Sequence, residues 1–442
     1  MAAVSDGNVL SLFKKVYGDL HNLLPKDQHL GRDIDFSEKQ KVGDSWNETV
    51  CLTHETGFTL SSGTDAFELN PSIAGVVKSV AVSPYVSVLP SIVPWAIMSR
   101  SAGGNDEKSF FSATKHIVKN NLTSHSKLQE ILRLHGQSAR SLGYVSYATA
   151  TYRGVSFTAG AGALVVNGTS VTFTAGINAA SKMILLAPGS FASGIWCGME
   201  GVKVNQIDAN NAIVATGKLV TVDSAMGVIQ VDFTPVAASS VTSHRVCFDG
   251  QESAKDMVGV DYIMRSPATL FGLSTANYSL WSSNVYDCGG QKLTLARFQT
   301  AIANVVNKSG LEGDVTVYLN PRSWATLAST EAGLRNYDQS YNSSQAENGF
   351  RSIKFECQAG TATFKPHRIV KEGDAYCLFL PDWSRSGSSE VSFKIPGMTQ
   401  EIIFPLQNQA GHAFRSFSDQ YIFCHGPARQ LLLTNINDES PS

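Results

Sequence analysis

The side chains that could serve as nucleophiles, bases or metal ligands are scattered along this sequence and match no recognised spacing. Seven cysteines (Cys51, Cys197, Cys247, Cys288, Cys357, Cys377, Cys424) stand far apart, with no Cys-x-x-Cys pair and no Cys/His cluster at metal-ligand spacing. An odd, dispersed set of this kind reads as reduced and mostly buried thiols. Of the ten histidines, His367, His412 and His425 fall in strand-like stretches, where a structural imidazole is commoner than a catalyst. A Walker loop, a Gly-x-Ser-x-Gly elbow and a His-Glu-x-x-His site are all missing. Gly160-Ala-Gly162 suits chain reversal better than a phosphate cradle. The expectation is a protein that is not an enzyme, with no catalytic, cofactor or metal residues.

The elements around these residues have to account for the chain instead. Its 442 residues, 43% apolar and 16% charged, are enough for two or three cores in a globular protein. With a net charge of −2 and scattered Lys and Arg, the sequence lacks the footprint of a chain that grips nucleic acid. No apolar run approaches the roughly 20 residues of a membrane span, and Met1 to Gly18 has no signal-like core, which predicts cytoplasmic synthesis. Asn47-Glu-Thr, Asn121-Leu-Thr and Asn167-Gly-Thr are then chance matches to glycosylation acceptors.

Leu10, Phe13, Tyr17, Leu20 and Leu24 recur at helical spacing before Pro25, predicting a short amphipathic arm. Phe36 to Asn70 is polar and Gly-punctuated, with strand-like Thr49–Thr53 and Phe58–Leu60, and reads as a long hairpin leaving the body. Val76 to Met98 is rich in Val and Ile but broken by Pro84, Pro90 and Pro94, which suits short edge strands. Asn105-Asp-Glu107 opens a helix that runs to Arg133, His135 and Gly136, with weak formers at Asn120, Asn121, Thr123 and Ser124 that could kink it. From Val155 to His244 charges thin out and strands alternate, with Asn167-Gly168, Asp208–Asn211 and Asp223–Gly227 as turns. This predicts an antiparallel module, a small barrel. Helices at Thr294–Ser309 and after Asn320-Pro321, a strand at Asp314–Leu319, and further strands in Gly349–Leu380, Glu401–Phe404 and Gln420–Cys424 complete an α+β chain.

In this order the layout resembles the capsid fold of tailed phages typified by phage Hong Kong 97: N-terminal arm, extended hairpin, long spine helix, then peripheral and axial domains. Leu12-Phe-Lys-Lys-Val-Tyr17 resembles the opening of such proteins, Gly43 to Gly57 their extended loop, and Ser109-Phe-Phe111 through Leu134-His-Gly136 their spine. Leu319-Asn-Pro-Arg-Ser-Trp-Ala-Thr-Leu327 is similar to the segment opening an axial-domain helix. Ala346–Phe350 and the Gln407 to Gln420 region are similar to its closing strands. The β-rich block departs from the minimal fold, although some members carry an inserted barrel.

The resemblance implies an arm (1–35), extended loop (36–75), peripheral domain with spine (76–154), inserted barrel (155–244), axial domain (245–400) and return strands with tail (401–442). It implies a major capsid protein, made in the host bacterial cytoplasm, that assembles as pentamers and hexamers into the icosahedral head of a virion. Double-stranded DNA would be enclosed rather than read. Partners would be a separate scaffolding protein, a portal and a decoration protein. Inter-subunit contacts are expected at Leu10, Phe13 and Tyr17 of the arm, at Lys39, Lys41, Trp46 and Phe58 of the loop, and at Arg335, Tyr337 and Tyr341. Some members join subunits through an isopeptide bond from a loop lysine, and Lys39 and Lys41 sit where such a donor would. Two other readings stay open: a β-rich virion adhesin using the 155–244 module, and an encapsulin-type compartment shell.

Overall fold

The computed structural model describes residues 29–39, 45–63, 68–83, 85–94, 107–138, 141–146, 150–152, 155–160, 163–166, 169–171, 182–186, 189–224, 227–234, 244–253, 255–335, 353–393, 403–405 and 411–438. A short helix, His29–Asp33, precedes β1 (Phe36–Glu38). β2 (Trp46–Cys51) pairs antiparallel with β3 (Val77–Val82) from Trp46 opposite Val82 to Cys51 opposite Val77. Burial alternates strictly along β2, so Trp46, Glu48 and Val50 face inward. The sequence reading put the returning arm at Phe58–Leu60. Val77, Val80 and Val82 pair instead, as β-branched residues favour, and Phe58–Leu60 lies beyond the paired arms near the loop's tip. Phe36–Glu38 is also off the hairpin, pairing in parallel with a body strand at Arg385–Gly387.

β4 (Val86–Pro94), with Pro90 inside it, pairs on one side only, as an edge strand should. The long helix then runs unbroken from Glu107 to His135, 29 residues, or about 44 Å at 1.5 Å rise per residue. The helix is not interrupted at Asn120–Ser124. The Thr123 hydroxyl donates back to Lys119 O, and the Asn121 amide is spent on β4. Gly136 ends the helix where a Cβ would come within 2.1 Å of the Met257 carbonyl oxygen, so only glycine fits.

The chain then enters β5 (Gly143–Ser146), makes the separate four-stranded meander β6 (Ala150–Tyr152), β7 (Val155–Gly160), β8 (Ala163–Val166) and β9 (Thr169–Val171), and continues through β10 (Lys182–Leu186). After β11 (Lys203–Ile207), β12 (Ile213–Asp223), β13 (Val228–Thr234) and β14 (Arg245–Phe248), a barrel closes in the order β10-β13-β12-β11-β14-β5. Its turn at Asp208–Asn211 follows the sequence signal. Asp208 Oδ1 accepts from Asn210 N and Ala212 N, both at 2.8 Å. The closing strands lie outside the expected 155–244 span, because β5 and β14 are only four residues each and carry little alternating pattern.

Beyond a short helix, Val260–Met264, and the β15 (Thr269–Leu270)–β16 (Leu273–Ser274) hairpin come β17 (Asn284–Gln291) and the helix Leu295–Ser309. Thr294 caps this helix and Gly310, at φ 61°, ends it. β18 (Val315–Leu319), the helix Pro321–Arg335, β19 (Ile353–Glu356), β20 (Thr361–Pro366), β21 (Ala375–Leu378), β22 (Trp383–Ser392), β23 (Ile403–Pro405), β24 (Gly411–Cys424) and β25 (Leu431–Ile436) complete the chain. One sheet, ordered β17-β25-β21-β18-β20-β19, packs Phe298, Ile302 and Val305 of the first helix into a core of its own. The other, β1-β22-β24-β23 with β4 on β24, carries the long helix.

Candidate self-association surface

The root of the hairpin is locked into the subunit. The Trp46 ring, 3% exposed, lies 4.9 Å from that of Tyr421 on β24, and its indole N–H donates to Lys39 O at 3.2 Å. The Tyr421 hydroxyl donates to Glu48 Oε1 at 2.6 Å, and Lys39 Nζ sits 2.5 Å from the same oxygen. Burial alone would raise the Glu48 carboxyl, but the hydrogen bonds from Lys39 and Tyr421 outweigh it and hold Glu48 below the usual range. Burial, then Glu48, pushes the Tyr421 phenol up. This corrects the expectation for Trp46. Trp46 packs in its own subunit's core instead of against a neighbour, and the Lys39 ammonium is held by Glu48.

The tip is the opposite. Beyond the single bridge between Thr56 and Ile73, Phe58, Leu60 and Leu69 are 76%, 87% and 78% exposed, and Ile73 is exposed beside them. The tip is nevertheless shaped: Asn70 N donates to Thr59 Oγ1 at 2.7 Å and Asn70 Nδ2 to Phe58 O at 3.2 Å. Apolar side chains held out in water by an ordered loop mark a contact surface.

Behind the root, the long helix meets the sheet through a polar stripe at every fourth residue, which the apolar pattern did not reveal. Asn121 donates to Leu89 O and Ser91 Oγ, and His125 bonds Ser87 Oγ at 2.7 Å and Ser416 Oγ at 2.8 Å. Gln420 Nε2 donates to Gln129 Oε1, and Arg133 Nη2 to Gln420 Oε1. Glu130, fully buried, accepts from Leu30 N at 2.6 Å, Gly31 N and Arg133 Nη1, with His367 Nε2 3.2 Å away. Burial would raise its carboxyl, but His367 and Arg133 hold it low. Arg385 grips the other side of the short helix through Gly31 O and Ile34 O, and Lys365 binds Asp33 at 2.8 Å. Residues 121, 125, 129 and 133 are polar at helical spacing in the sequence, which was the available signal.

An apolar groove of about 340 Å³ opens between β4, the long helix and the barrel, lined by Val88, Leu89, Leu128, Leu132, Val202 and Phe248. Val86 and Val88 are exposed at its mouth. Burial pushes the Cys288 thiol up to about 11 and Cys247 to about 12, and no three His, Cys, Asp or Glu among the described residues could hold a metal. All seven cysteines are free thiols. Of the remaining expected contacts, Phe58 is presented outward and Arg335 ends the helix begun at Pro321. Leu10, Phe13, Tyr17, Lys41, Tyr337 and Tyr341 lie outside the described residues.

No protein-family model and no curated protein matches the chain. Among solved structures it is similar to the cyanophage A-1(L) capsid asymmetric unit, with 9% identity over 96% of both chains and a TM-score of 0.52. It also matches the capsid of a native GTA particle (7% identity over 99% of both chains, TM-score 0.46) and that of Mycobacterium phage Adephagia (8% identity over all of both chains, TM-score 0.43). The likeness to the A-1(L) structure gives the fold as a phage-capsid one, as the order of hairpin, spine and mixed domains implied. No helix among the described residues is long and apolar enough to cross a membrane.

Proposed function

We propose that the chain is a structural subunit of a closed shell built from copies of itself: the major capsid protein of a phage head, enclosing double-stranded DNA. The observation that carries this is the hairpin tip, where Phe58, Leu60 and Leu69 are exposed and without apolar cover among the described residues. The capsid-type fold supports it, and a root anchored by Trp46, Glu48 and Tyr421 suits an arm that transmits force to its own body. Each subunit would engage several neighbours through modest contacts that together reach an obligate interface. A separate scaffolding protein and a portal would act in assembly.

The test is to express the full chain, follow size by light scattering, and image the product by electron microscopy. Closed particles of uniform diameter are expected, and a strict monomer at high concentration, with or without scaffold, would refute the reading. Nuclease-protected double-stranded DNA inside particles from infected cells identifies a head shell. An enclosed protein cargo instead would identify a compartment.

A further inference from the structure

A polar cavity of about 320 Å³ lies where the barrel meets the body, against the end of the long helix. Its acceptors outnumber its donors. Asp256, 7% exposed, uses Oδ2 to accept from Gln137 N and Gln251 Nε2, each at 3.1 Å. Its Oδ1 is buried and has no hydrogen-bond partner among the described residues, and the same holds for Nδ1 of His135, 1% exposed. His135 donates from Nε2 to Ile369 O at 2.9 Å, so Nδ1 is left as an acceptor. Glu252 accepts from Gly250 N and Asn205 Nδ2, and neither carboxylate has an ion pair among the described residues. Burial pushes the Asp256 carboxyl up, and the Glu252 charge beside it adds to the push. The cations at hand are turned elsewhere. Arg245 Nη2 donates to Asn211 Oδ1 at 2.7 Å and Asp208 O at 2.8 Å, and Lys371 Nζ donates to Ser141 O at 2.7 Å. Gln137, Ser141 and Asn211 line the cavity with left-handed backbones, at φ 50°, 45° and 64°, and strain of this kind gathers at ligand clamps.

We propose that this cavity binds a small alkylammonium cation, received by Asp256, Glu252 and the His135 Nδ1 acceptor, and that the bound cation fastens the barrel to the body. A water would satisfy one acceptor and leave two neighbouring carboxylates without counter-charge, whereas an ammonium group supplies both N–H donors and charge. No three His, Cys, Asp or Glu among the described residues are gathered to hold a metal. The volume is about ten times a water's share of roughly 30 Å³, and Ile207 and Tyr262 give an alkyl chain an apolar wall. Arg245 and Asn211 belong to the barrel, His135 and Gln137 to the end of the long helix and the link after it, so a ligand here touches both. The site is complete within one subunit.

The experiment titrates putrescine into the full chain at neutral pH by calorimetry, with butanediol as the neutral isostere. One saturable site per chain is expected for putrescine and none for butanediol. Asp256→Asn and Glu252→Gln keep the shape and remove one charge each, and each should weaken binding about tenfold or more. Glu252 is only half-buried, so Glu252→Gln carries the comparison if Asp256→Asn fails to fold. Bound putrescine should also slow amide hydrogen exchange in β11 and β14 of the wild-type chain. Equal putrescine binding by wild type and Glu252→Gln, uptake at many weak sites, or equal binding of butanediol would overturn the ammonium site. Saturable binding of magnesium with none of putrescine would make it a metal site and overturn it as well. Putrescine binding that leaves exchange in β11 and β14 unchanged would overturn the fastening of the barrel.

Discussion

Trp46 and Phe58 are both large aromatics of the hairpin, and their environments separate what each does. Trp46→Ala removes a ring packed on Tyr421 and an indole bonded to Lys39 O, so unfolding of the subunit in urea should become easier by about 3–5 kcal/mol. Phe58→Ser, at an exposed site, should change subunit stability by less than about 0.5 kcal/mol and show its effect only in association. The buried imidazoles add a pH dependence. Burial and then the Arg133 charge depress His125 to about 4, and burial and then Lys371 depress His135 to about 3. Between the unfolded value near 6.5 and these folded values, the unfolded chain binds protons that the fold excludes. Stability therefore falls on acidification from pH 6.5, by ~1.4 kcal/mol per pH unit for each histidine, and levels off for His125 below about 4. Urea titrations at pH 7 and pH 5 should show a smaller loss in His125→Gln; an equal loss would assign the acid sensitivity to other groups. The sequence marks Trp46 as a large aromatic but not the direction it faces, because the Tyr421 ring that covers it is brought in by the fold from near the far end of the chain.

At the scale of elements, the barrel is defined by closure more than by pattern. β5 pairs with both β10 and β14, and Arg245 stands opposite Tyr144, so the chain enters and leaves on adjacent strands. A fragment spanning 143–248 should fold alone and give a dispersed amide spectrum. A fragment spanning 155–244 loses β5 and β14 and exposes two unpaired edges, so it should aggregate or stay unfolded. If the shorter fragment proves as well ordered as the longer, closure by β5 is dispensable and the domain is the narrower one. The long helix, the helix at Leu295–Ser309 with its Thr294 cap, and strand β12 were legible because length, period or cap agree there. The hairpin's returning arm was not, because a stretch of loop with its own Phe58-Thr-Leu60 pattern stands between β2 and β3. The polar stripe from Asn121 to Arg133 was missed for a related reason. An apolar count ignores a face whose partners are the hydroxyls of Ser87, Ser91 and Ser416.

For the whole molecule, the balance of forces between copies can be read from what the surface offers. The net charge is −2 across 442 residues, so long-range repulsion between subunits is slight. The large side chains exposed at the tip, Phe58, Leu60 and Leu69, are apolar. A contact of this type is driven near room temperature by release of water, with little enthalpy, and burial of its surface lowers the heat capacity. Association should therefore strengthen as temperature rises from about 4 to 25 °C, because apolar burial weakens on cooling. Added sodium chloride should leave it nearly unchanged, since an exposed ion pair contributes only ~0.2–1 kcal/mol. Light scattering of the purified chain at fixed concentration, scanned in temperature and separately in salt, measures both dependences. Particles that dissolve in half-molar salt and are indifferent to cooling would mean that ion pairs hold the copies together. The exposed Phe58, Leu60 and Leu69 would then need another explanation.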